Sequence, residues 1–408
     1  MKVLVVGGGS GGHITPAIAV IRELLAKKSR IKVEFWTDKK YYKNVVKNTT
    51  EIGMSWGKEE GKGEYIRVRK VFAGKFHRYA NWKFKDYFVY FSVTMKDLVW
   101  GNIVGFCGFA GGILQSFGRF LKKDNRPDVI FLKGGFVGLP VGLVARLFNI
   151  PYVIHESDMV PGLANRILMK RAKVVAMGMP FEKGEKNWEW VGIPVAPEFK
   201  AVTEMRKKTL KRELGFDDKL PLVVITGGSQ GSENLNKATR EILPELLEEF
   251  SVGLIAGRKH YEEMVDLKQY EKWDEARLSS NFRMWEFSSV MDEIMGAADV
   301  VVSRAGATTI AELAELKKAV ILVPYERLPG GHQVKNAEKL EKIGAVKMIL
   351  DEDMQKDVGR LLLLIKEVVK KDGLKKELAQ KLHETTKSDA AARLAEILIE
   401  VEKGNAKR

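Results

Sequence analysis

The sequence has 408 residues, which exceeds one typical domain and favours two α/β domains of roughly 200 residues each. Lys and Arg number 68 against 53 Asp and Glu, and the formal charge of +15 favours an anionic partner: nucleic acid, an anionic lipid surface or a phosphorylated substrate. The single cysteine, Cys107, excludes a disulfide within the chain, and the N-terminal apolar run is too short for a signal-peptide core, so we expect a cytoplasmic protein.

The first half of the chain alternates short apolar runs with helical stretches. Lys2–Val6 precedes a run of glycines and then a helix from about Pro16 to Ala26, where the proline suits the first helical turn. This order of strand, loop and helix predicts a parallel sheet with helices on both faces. Further strands are predicted at Lys32–Trp36, Asp128–Leu132, Pro151–His155 and Val174–Ala176, and a further helix from about Leu139 to Phe148.

An uncharged stretch, Leu98–Gly118, interrupts this pattern. Its length is close to the ~20 residues that span a bilayer, and basic residues flank it on both sides. Three interpretations stay open: a buried hairpin of core helices, an element lying in the membrane interface, and a spanning helix. A single crossing would divide one predicted domain across the membrane, so we favour peripheral or monotopic attachment to one face.

A segment with two prolines, Gly192–Pro197, ends the first pattern, and the pattern then restarts. We predict a first domain at 1–194, a second at 195–385, and a C-terminal helix within 386–408 that packs back on the first domain. Both domains are expected to be doubly wound and Rossmann-like, with the strand ends facing a cleft. The strands predicted in the second domain are Leu222–Thr226, Val252–Ala256, Phe282–Trp285, Val300–Ser303 and Val320–Val323.

Glycine-rich loops follow three predicted strands, at 7–12, 134–138 and 227–231. Backbone N–H groups of such a loop, before a helix, can hold a phosphate or diphosphate, although each loop alone could be only a tight turn. The first loop lacks a clear acidic partner for a ribose, and Asp38 is the nearest candidate. No Gly-Lys-Ser/Thr phosphate loop occurs, which argues against nucleotide hydrolysis.

Two polar segments follow strands of the second domain. Glu312 lies in the first turns of a predicted helix, where its carboxylate could accept two ribose hydroxyls or only serve as a helix N-terminal charge. The loop at 324–336 carries His332, Gln333 and Asn336, which can reach the hydroxyls of a ligand but would also suit a solvated loop.

In combination, these motifs resemble the MurG family of bacterial peptidoglycan glycosyltransferases, which make lipid II from lipid I. The resemblance covers nearly the whole chain in order and rests on GGGSGGHITPAIAV, GGFVGLPVGLVAR, HESDMVPGLANRI, TGGSQGSENLN, SRAGATTIAELAELKKAVILVPY and HQVKNAEKLEKIGA. It implies two domains of the GT-B glycosyltransferase type. It also implies inverting transfer of N-acetylglucosamine from UDP-N-acetylglucosamine to the 4-hydroxyl of the muramyl sugar of lipid I, without a metal or other cofactor.

The resemblance further implies the partners of the chain. They are the UDP-sugar, the lipid-linked muramyl-peptide acceptor and an anionic membrane surface at the cytoplasmic face of the cell membrane. Nucleic acid is not among them, since the basic residues cluster beside an apolar segment and not on a recognisable reading helix.

Roles in donor binding are implied for particular residues. Ser229 and Gln230 would hold the diphosphate, and Arg304 with Thr308 would offset the charge of the leaving UDP. Glu312 would accept the ribose hydroxyls, and we count it with His13 as catalytic. The remaining donor residues are Phe287, Ser288 and Met291 at the uracil, His332, Gln333 and Asn336 at the sugar hydroxyls, and Asn236.

On the acceptor side, the resemblance assigns the lipid diphosphate to four glycines: Gly11, Gly12, Gly134 and Gly135. His13 is the candidate general base, because a histidine titrates in the range needed to take a proton from the acceptor hydroxyl. It could instead only cap a helix or donate a hydrogen bond. Asp158 and Asn165 are placed beside the acceptor, and Glu156 is either an acceptor contact or the partner of a backbone amide.

The chain departs from the family pattern in three places. Ser157-Asp158 stands where the family often has Gln-Asn, Ala196 stands where it often has arginine, and the uncharged stretch is longer than the family needs. These departures leave open a related transferase that glycosylates diacylglycerol or another polyprenyl lipid. A nicotinamide-dependent oxidoreductase would need a ribose-binding acid and a hydride-transfer site, and the sequence offers neither convincingly.

Overall fold

The computed structural model describes residues 1–28, 30–60, 66–74, 91–181, 184–228, 231–265, 280–327 and 329–406. The chain divides into two compact units, Met1–Ala196 with Lys387–Arg408, and Pro197–Thr386. Each unit is built on a parallel β-sheet with helices packed against it, so the predicted α/β fold class is confirmed.

In the first unit, the described residues form a seven-stranded parallel sheet. The strands are β1 (Lys2–Val6), β2 (Lys32–Thr37), β3 (Ile66–Lys70), β4 (Val129–Leu132), β5 (Tyr152–Glu156), β6 (Val174–Met177) and β7 (Trp188–Trp190). The helices are α1 (Gly11–Lys27), α2 (Tyr42–Glu60), α3 (Phe91–Leu121), α4 (Gly138–Leu147) and α5 (Leu163–Met169). The strand order is β3-β2-β1-β4-β5-β6-β7, so β1, β4 and β5 are neighbours.

Both faces of this sheet are buried. Val3 and Val5 belong to one apolar core with α1, whereas Leu4 and Val6 belong to a second core with α4. Successive side chains of a strand point to opposite faces, so a sheet covered on both faces needs continuous apolar strands. This requirement explains why Lys2–Val6 is apolar after its first residue and leaves polar groups to the loops.

The second unit contains a six-stranded parallel sheet among its described residues. The strands are β8 (Leu222–Thr226), β9 (Ser251–Ile255), β10 (Phe282–Trp285), β11 (Val300–Ser303), β12 (Ala319–Leu322) and β13 (Lys347–Met348). The helices are α6 (Glu204–Glu213), α7 (Glu233–Leu247), α8 (Tyr261–Val265), α9 (Met291–Ala297), α10 (Ala307–Glu315), α11 (His332–Lys342), α12 (Asp351–Lys356), α13 (Gly359–Lys370) and α14 (Asp372–His383). The order β10-β9-β8-β11-β12-β13 makes β8, β11 and β12 neighbours.

The last helix, α15 (Ala390–Ala406), returns to the first unit and packs on α1. Leu394 and Leu398 are fully buried in the core that α1 also fills. An ion pair of 2.9 Å joins Lys27 Nζ of α1 to Glu396 Oε1 of α15. The first unit is therefore completed by a segment from the far end of the chain.

Helix α3 contains the uncharged stretch, and it is one continuous helix of 31 residues, so the hairpin interpretation is wrong. Within it, Trp100–Leu121 is long and apolar enough to cross a membrane by length and composition. Large apolar side chains on this helix are exposed to solvent: Trp100 is 69% exposed and Leu114 is 72% exposed. Its C-terminal part is fixed to the strand edge, because the Gln115 side chain bonds to the Lys70 carbonyl and the Phe72 amide at 2.8 and 3.0 Å.

Glycines let α3 approach the segment that follows β3. A Cβ on Gly112 would lie 2.2 Å from Phe72 O and 2.9 Å from Pro140 Cγ, whereas a Cβ on Gly118 would meet nothing within 4 Å. We expect Gly112→Ala to destabilise the protein by about 1–3 kcal/mol through overpacking. Gly118→Ala should be neutral or stabilising by up to about 1 kcal/mol, because alanine favours helix. Urea unfolding of both variants in detergent measures this, and equal effects would contradict the packing of α3 on Phe72.

Candidate active site

A group of residues at the carboxyl ends of β1, β4 and β5 forms what we call the first-unit cluster: His13, Lys133, Gly134, Gly135 and Asn165. His13 Nδ1 lies 3.3 Å from the carbonyl oxygen of Lys133. A Cβ on Gly135 would lie 3.3 Å from His13 Nε2, and one on Gly134 would lie 2.9 Å from Asn165 Nδ2. Both glycines have positive φ, which other residues adopt rarely. The structure thus brings together four of the residues predicted for the acceptor.

His13 is placed in the first turn of α1, and it is half-buried. Burial and, to a smaller extent, the charge of Lys133 lower its pKa to about 4, although Asp158 opposes both effects. The imidazole is therefore neutral at physiological pH and has a nitrogen lone pair with which to accept a proton. A bound anion nearby would raise this pKa and strengthen the base.

Glu156, at the end of β5, organises the loop that follows it. Its carboxylate accepts hydrogen bonds from the backbone N–H groups of Asp158 and Gly162, at 3.1 and 3.0 Å, and from Asn165 Nδ2 at 2.8 Å. Burial raises its pKa, and these three bonds favour the ionised form. Of the two interpretations of Glu156, the structure supports the partner of backbone amides. Asp158 itself is half-exposed.

The loop after β1 is closed by an acidic residue from the neighbouring strand. Asp38 Oδ2 accepts the Gly9 N–H at 2.6 Å, and Oδ1 accepts the Lys40 N–H at 2.8 Å. Asp38 therefore fixes the glycine loop, a role that the sequence does not reveal. Gly11 and Gly12 form the first residues of α1, and a Cβ on Gly11 would meet no atom within 4 Å. Open space at this helix start suits an approaching anion.

In the second unit, Arg304 is held in place by groups from several loops. Its Nε and a terminal nitrogen donate to Ser232 Oγ, and its Nη1 donates to the Val323 carbonyl at 2.9 Å. The Oδ1 atom of Asp351, which is fully buried, pairs with Arg304 Nη2 at 2.5 Å. Most of the guanidinium donors are thus used within the protein. The network links the loops after β8, β11 and β12 and therefore fixes their relative positions.

Other predicted donor residues stabilise the same loops. Asn236 is buried on α7 and donates to the Ala256 carbonyl at 2.9 Å, while its own side-chain oxygen has no hydrogen-bond partner among the described residues. Asn336 is buried on α11 and donates to Ala305 O at 3.3 Å. Gln333 Oε1 accepts the Tyr325 N–H at 3.0 Å. His332 begins α11 and is half-buried.

The predicted uracil residues surround the start of α9. Phe287 is 53% exposed and lies 4.8 Å below the guanidinium of Arg258. Ser288 is buried, and its hydroxyl accepts the Val290 N–H at 3.1 Å. Met291 is the first residue of α9. An exposed aromatic ring beside a backbone turn offers a stacking surface for a planar base.

Glu312 differs from the paired Arg304 and Asp351 of this unit. It is half-buried on α10, one helical turn beyond Thr308, and its carboxylate has no hydrogen bond or ion pair with any residue that the structure describes. Burial raises its pKa to about 8. An acidic group without a partner is available to a ligand hydroxyl. Of the predicted site residues, two lie outside the described residues: Ser229 and Gln230.

Across the described parts of the chain, no group of three or more His, Cys, Asp or Glu side chains is arranged to hold a metal ion.

Comparison with known proteins covers both units. Residues 3–177 match the glycosyltransferase family 28 N-terminal domain, and residues 222–394 match the family 28 C-terminal domain. A UDP-N-acetylglucosamine--N-acetylmuramyl-(pentapeptide) pyrophosphoryl-undecaprenol N-acetylglucosamine transferase of Geobacillus thermodenitrificans is 32% identical over 362 residues, covering 86% of this chain and 87% of that protein. The protein of the same name from Thermoanaerobacter sp. (strain X514) is 29% identical over 401 residues, with 98% and 99% covered.

Solved structures share the fold. MurG of Acinetobacter baumannii superimposes with a TM-score of 0.67 at 21% identity, and the match covers 98% of this chain and 99% of that one. The UDP-GlcNAc 2-epimerase of Neisseria meningitidis, bound to UDP-GlcNAc, gives a TM-score of 0.63 at 12% identity and covers 98% and 100%. The predicted GT-B architecture is thereby confirmed.

Glu312 generates a pH-dependent prediction. In the free protein its pKa is about 8. Two hydroxyls bound to the ionised carboxylate would lower that pKa, so binding releases a proton and affinity rises with pH. We expect the affinity for a UDP-sugar to increase up to about tenfold per pH unit below pH 8 and to level off above it. Isothermal titration calorimetry in buffers of different ionisation enthalpy measures both affinity and proton release.

The matched variants are Glu312→Gln and Glu315→Gln on the same helix. The first should bind more weakly and lose the pH dependence, while the second should behave as the unaltered protein, since Glu315 already accepts a bond from Thr386 Oγ1. A pH dependence that survives in Glu312→Gln would remove Glu312 from the donor site.

Proposed function

Because this chain belongs to glycosyltransferase family 28, we propose that it transfers N-acetylglucosamine from UDP-N-acetylglucosamine to lipid I and so makes lipid II for peptidoglycan. The observation that carries this function is the similarity to transferases of that name over most of both sequences, 32% identity with 86% of this chain covered. The arrangement of His13 with two positive-φ glycines agrees with it, since a base must lie beside a space for an anionic acceptor.

The proposed reaction is an inverting displacement. His13 takes the proton of the acceptor 4-hydroxyl, and that oxygen attacks the anomeric carbon on the face opposite the UDP. The new glycosidic bond forms as the bond to the UDP oxygen breaks, and UDP leaves with the bonding electrons. The neutral His13 is ready for this step, and the acceptor diphosphate would raise its low pKa when it binds.

Donor binding is proposed for the second unit. Glu312 would accept the ribose hydroxyls, and Phe287, Ser288 and Met291 would receive the uracil. The leaving diphosphate would face the N-terminal amides of α10 and Thr308, with Ser229 and Gln230. Arg304 would act through its charge and by holding Ser232, since its donors are largely used within the protein.

Membrane attachment is proposed through α3. Trp100, Phe106 and Leu114 expose large apolar side chains on this helix, and the exposed Lys122 and Lys123 follow it. Apolar area combined with adjacent cations suits an anionic membrane surface. The contacts of Gln115 and Gly112 with the segment after β3 favour a helix that stays on the protein and lies along one face of the membrane. That face would be the cytoplasmic one, where the UDP-sugar is available.

Radiolabelled transfer tests the reaction. Purified protein, given UDP-N-acetylglucosamine and a chelator, should label lipid I and leave diacylglycerol unlabelled. His13→Asn should lower turnover by at least about 100-fold with donor affinity unchanged, because general-base catalysis contributes on this scale. Labelling of diacylglycerol alone would replace the proposed acceptor, and full turnover of His13→Asn would exclude it as the base. Loss of transfer with the chelator, restored by added metal, would contradict metal independence.

Vesicle flotation tests the attachment. The triple variant Trp100→Ser/Phe106→Ser/Leu114→Ser should bind phosphatidylglycerol vesicles at least about tenfold more weakly, because each buried apolar side chain contributes about 1.5–3 kcal/mol. Leu363→Ser, which changes an equally exposed apolar residue on α13, is the control and should bind normally. Unchanged binding by the triple variant would exclude α3 as the attachment site, and resistance of the unaltered protein to alkaline extraction would indicate a spanning helix.

A further inference from the structure

Lys133, a buried lysine of the first-unit cluster, takes no part in the mechanism above. It follows β4 directly, and its side chain is only 1% exposed. The ammonium donates a hydrogen bond of 2.6 Å to Ser157 Oγ. Among the described residues it forms no ion pair, and the hydroxyl of Ser157 is its one hydrogen-bond acceptor. Burying an ammonium with a single neutral partner costs folding free energy. Its presence therefore indicates a role other than stability.

Lys318 of the second unit shows what a structural lysine looks like in the same protein. It is 6% exposed, and its ammonium donates to the carbonyls of Gly296 and Ala298 at 2.7 and 3.0 Å. These carbonyls lie at the C-terminal end of α9, where a cation is favourable. Burial lowers the pKa of both lysines to about 8. Two carbonyl acceptors compensate the burial of the Lys318 ammonium. Among the described residues, the Lys133 ammonium has only the Ser157 hydroxyl as an acceptor.

Nearby charged groups, and not carbonyl bonds, distinguish the surroundings of Lys133 from those of Lys318. Glu156 and Asp158, on the strand and loop beside it, carry negative charge and raise the pKa of Lys133. His13 and His155 also face this region, and burial keeps both neutral by lowering their pKa values. Without the lysine, two carboxylates would stand beside the Gly134–Gly135 turn and would repel an anion. Electrostatic interactions are strong here, because buried groups have a low local dielectric constant.

We propose that Lys133 is a positioning residue that offsets one of the two negative charges of Asp158 and Glu156 and thereby allows an anionic acceptor to bind beside His13. The inference rests on the proposed function, because the diphosphate of lipid I supplies the anion. It also gives a reason for Asp158, which stands where an uncharged side chain would otherwise be expected: its carboxylate and the lysine offset each other. Ser157 contributes by holding the ammonium in position.

Steady-state kinetics with lipid I and UDP-N-acetylglucosamine test this role in the full-length protein. Lys133→Met should raise the KM for lipid I about 10- to 100-fold and change the KM for the UDP-sugar less than twofold. Adding Asp158→Asn to Lys133→Met should lower the KM for lipid I again by about tenfold, because the double variant has the same local net charge as the unaltered protein. Since Lys133 lowers the pKa of His13, its loss should also move the acidic limb of the turnover profile to higher pH.

Lys318→Met is the matched control: it removes an equally buried ammonium, should lower the melting temperature and should leave both KM values unchanged. If Lys133→Met does not fold, Lys133→Gln replaces it, since an amide can still donate to Ser157 without the charge. An unchanged KM for lipid I, equal changes in both KM values, or no recovery in the double variant would overturn the inference. Failure of the unaltered protein to label lipid I would instead overturn the proposed function, before any variant is compared.

Discussion

The parallel arrangement of strands is the constraint on which every candidate residue depends. Parallel strands end at a common edge, so segments far apart in sequence meet there. In the first unit this edge brings together His13, the Gly134–Gly135 turn and Asn165, from the segments that follow β1, β4 and β5. In the second unit, Ser232 after β8, Arg304 after β11 and the Val323 carbonyl after β12 meet in the same way. Burial of both sheet faces makes the strands apolar and confines polar chemistry to these loops.

The same constraint explains how much of the fold the sequence predicts. Leu222–Thr226 and Val300–Ser303 are continuous apolar runs, and they are strands with those bounds. The comparisons confirm the family and the GT-B architecture to which the motifs pointed. By contrast, Ile66–Lys70 is a strand with three basic residues, and it escapes prediction because it lies at the sheet edge, where side chains remain exposed and no apolar run is needed. The short β7 and β13 give too few residues for a pattern.

The candidate site was predictable in its residue types and less so in its pairings. Glycine loops, His13 and Glu312 are visible in the sequence because they follow apolar strands, but a sequence does not say which polar group a side chain will meet. In the structure, Glu156 accepts hydrogen bonds from backbone amides. Arg304 forms an ion pair with Asp351 of the same chain. Elsewhere the chain neutralises its buried charges, as Asp299 does with Lys207 and Lys211. Among the described residues, Glu312 has no ion-pair partner, and Lys133 lies near two carboxylates without a direct ion pair to either.

The return of α15 to the first unit has a consequence for how the protein is made. A ribosome synthesises the strands of the first unit early, but the face of α1 that receives Leu394 and Leu398 stays open until the last helix emerges. The second unit lies wholly within the intervening chain and can complete its core sooner. The unit begun first is thus finished last, and in the meantime it presents an apolar surface of the kind that chaperones bind.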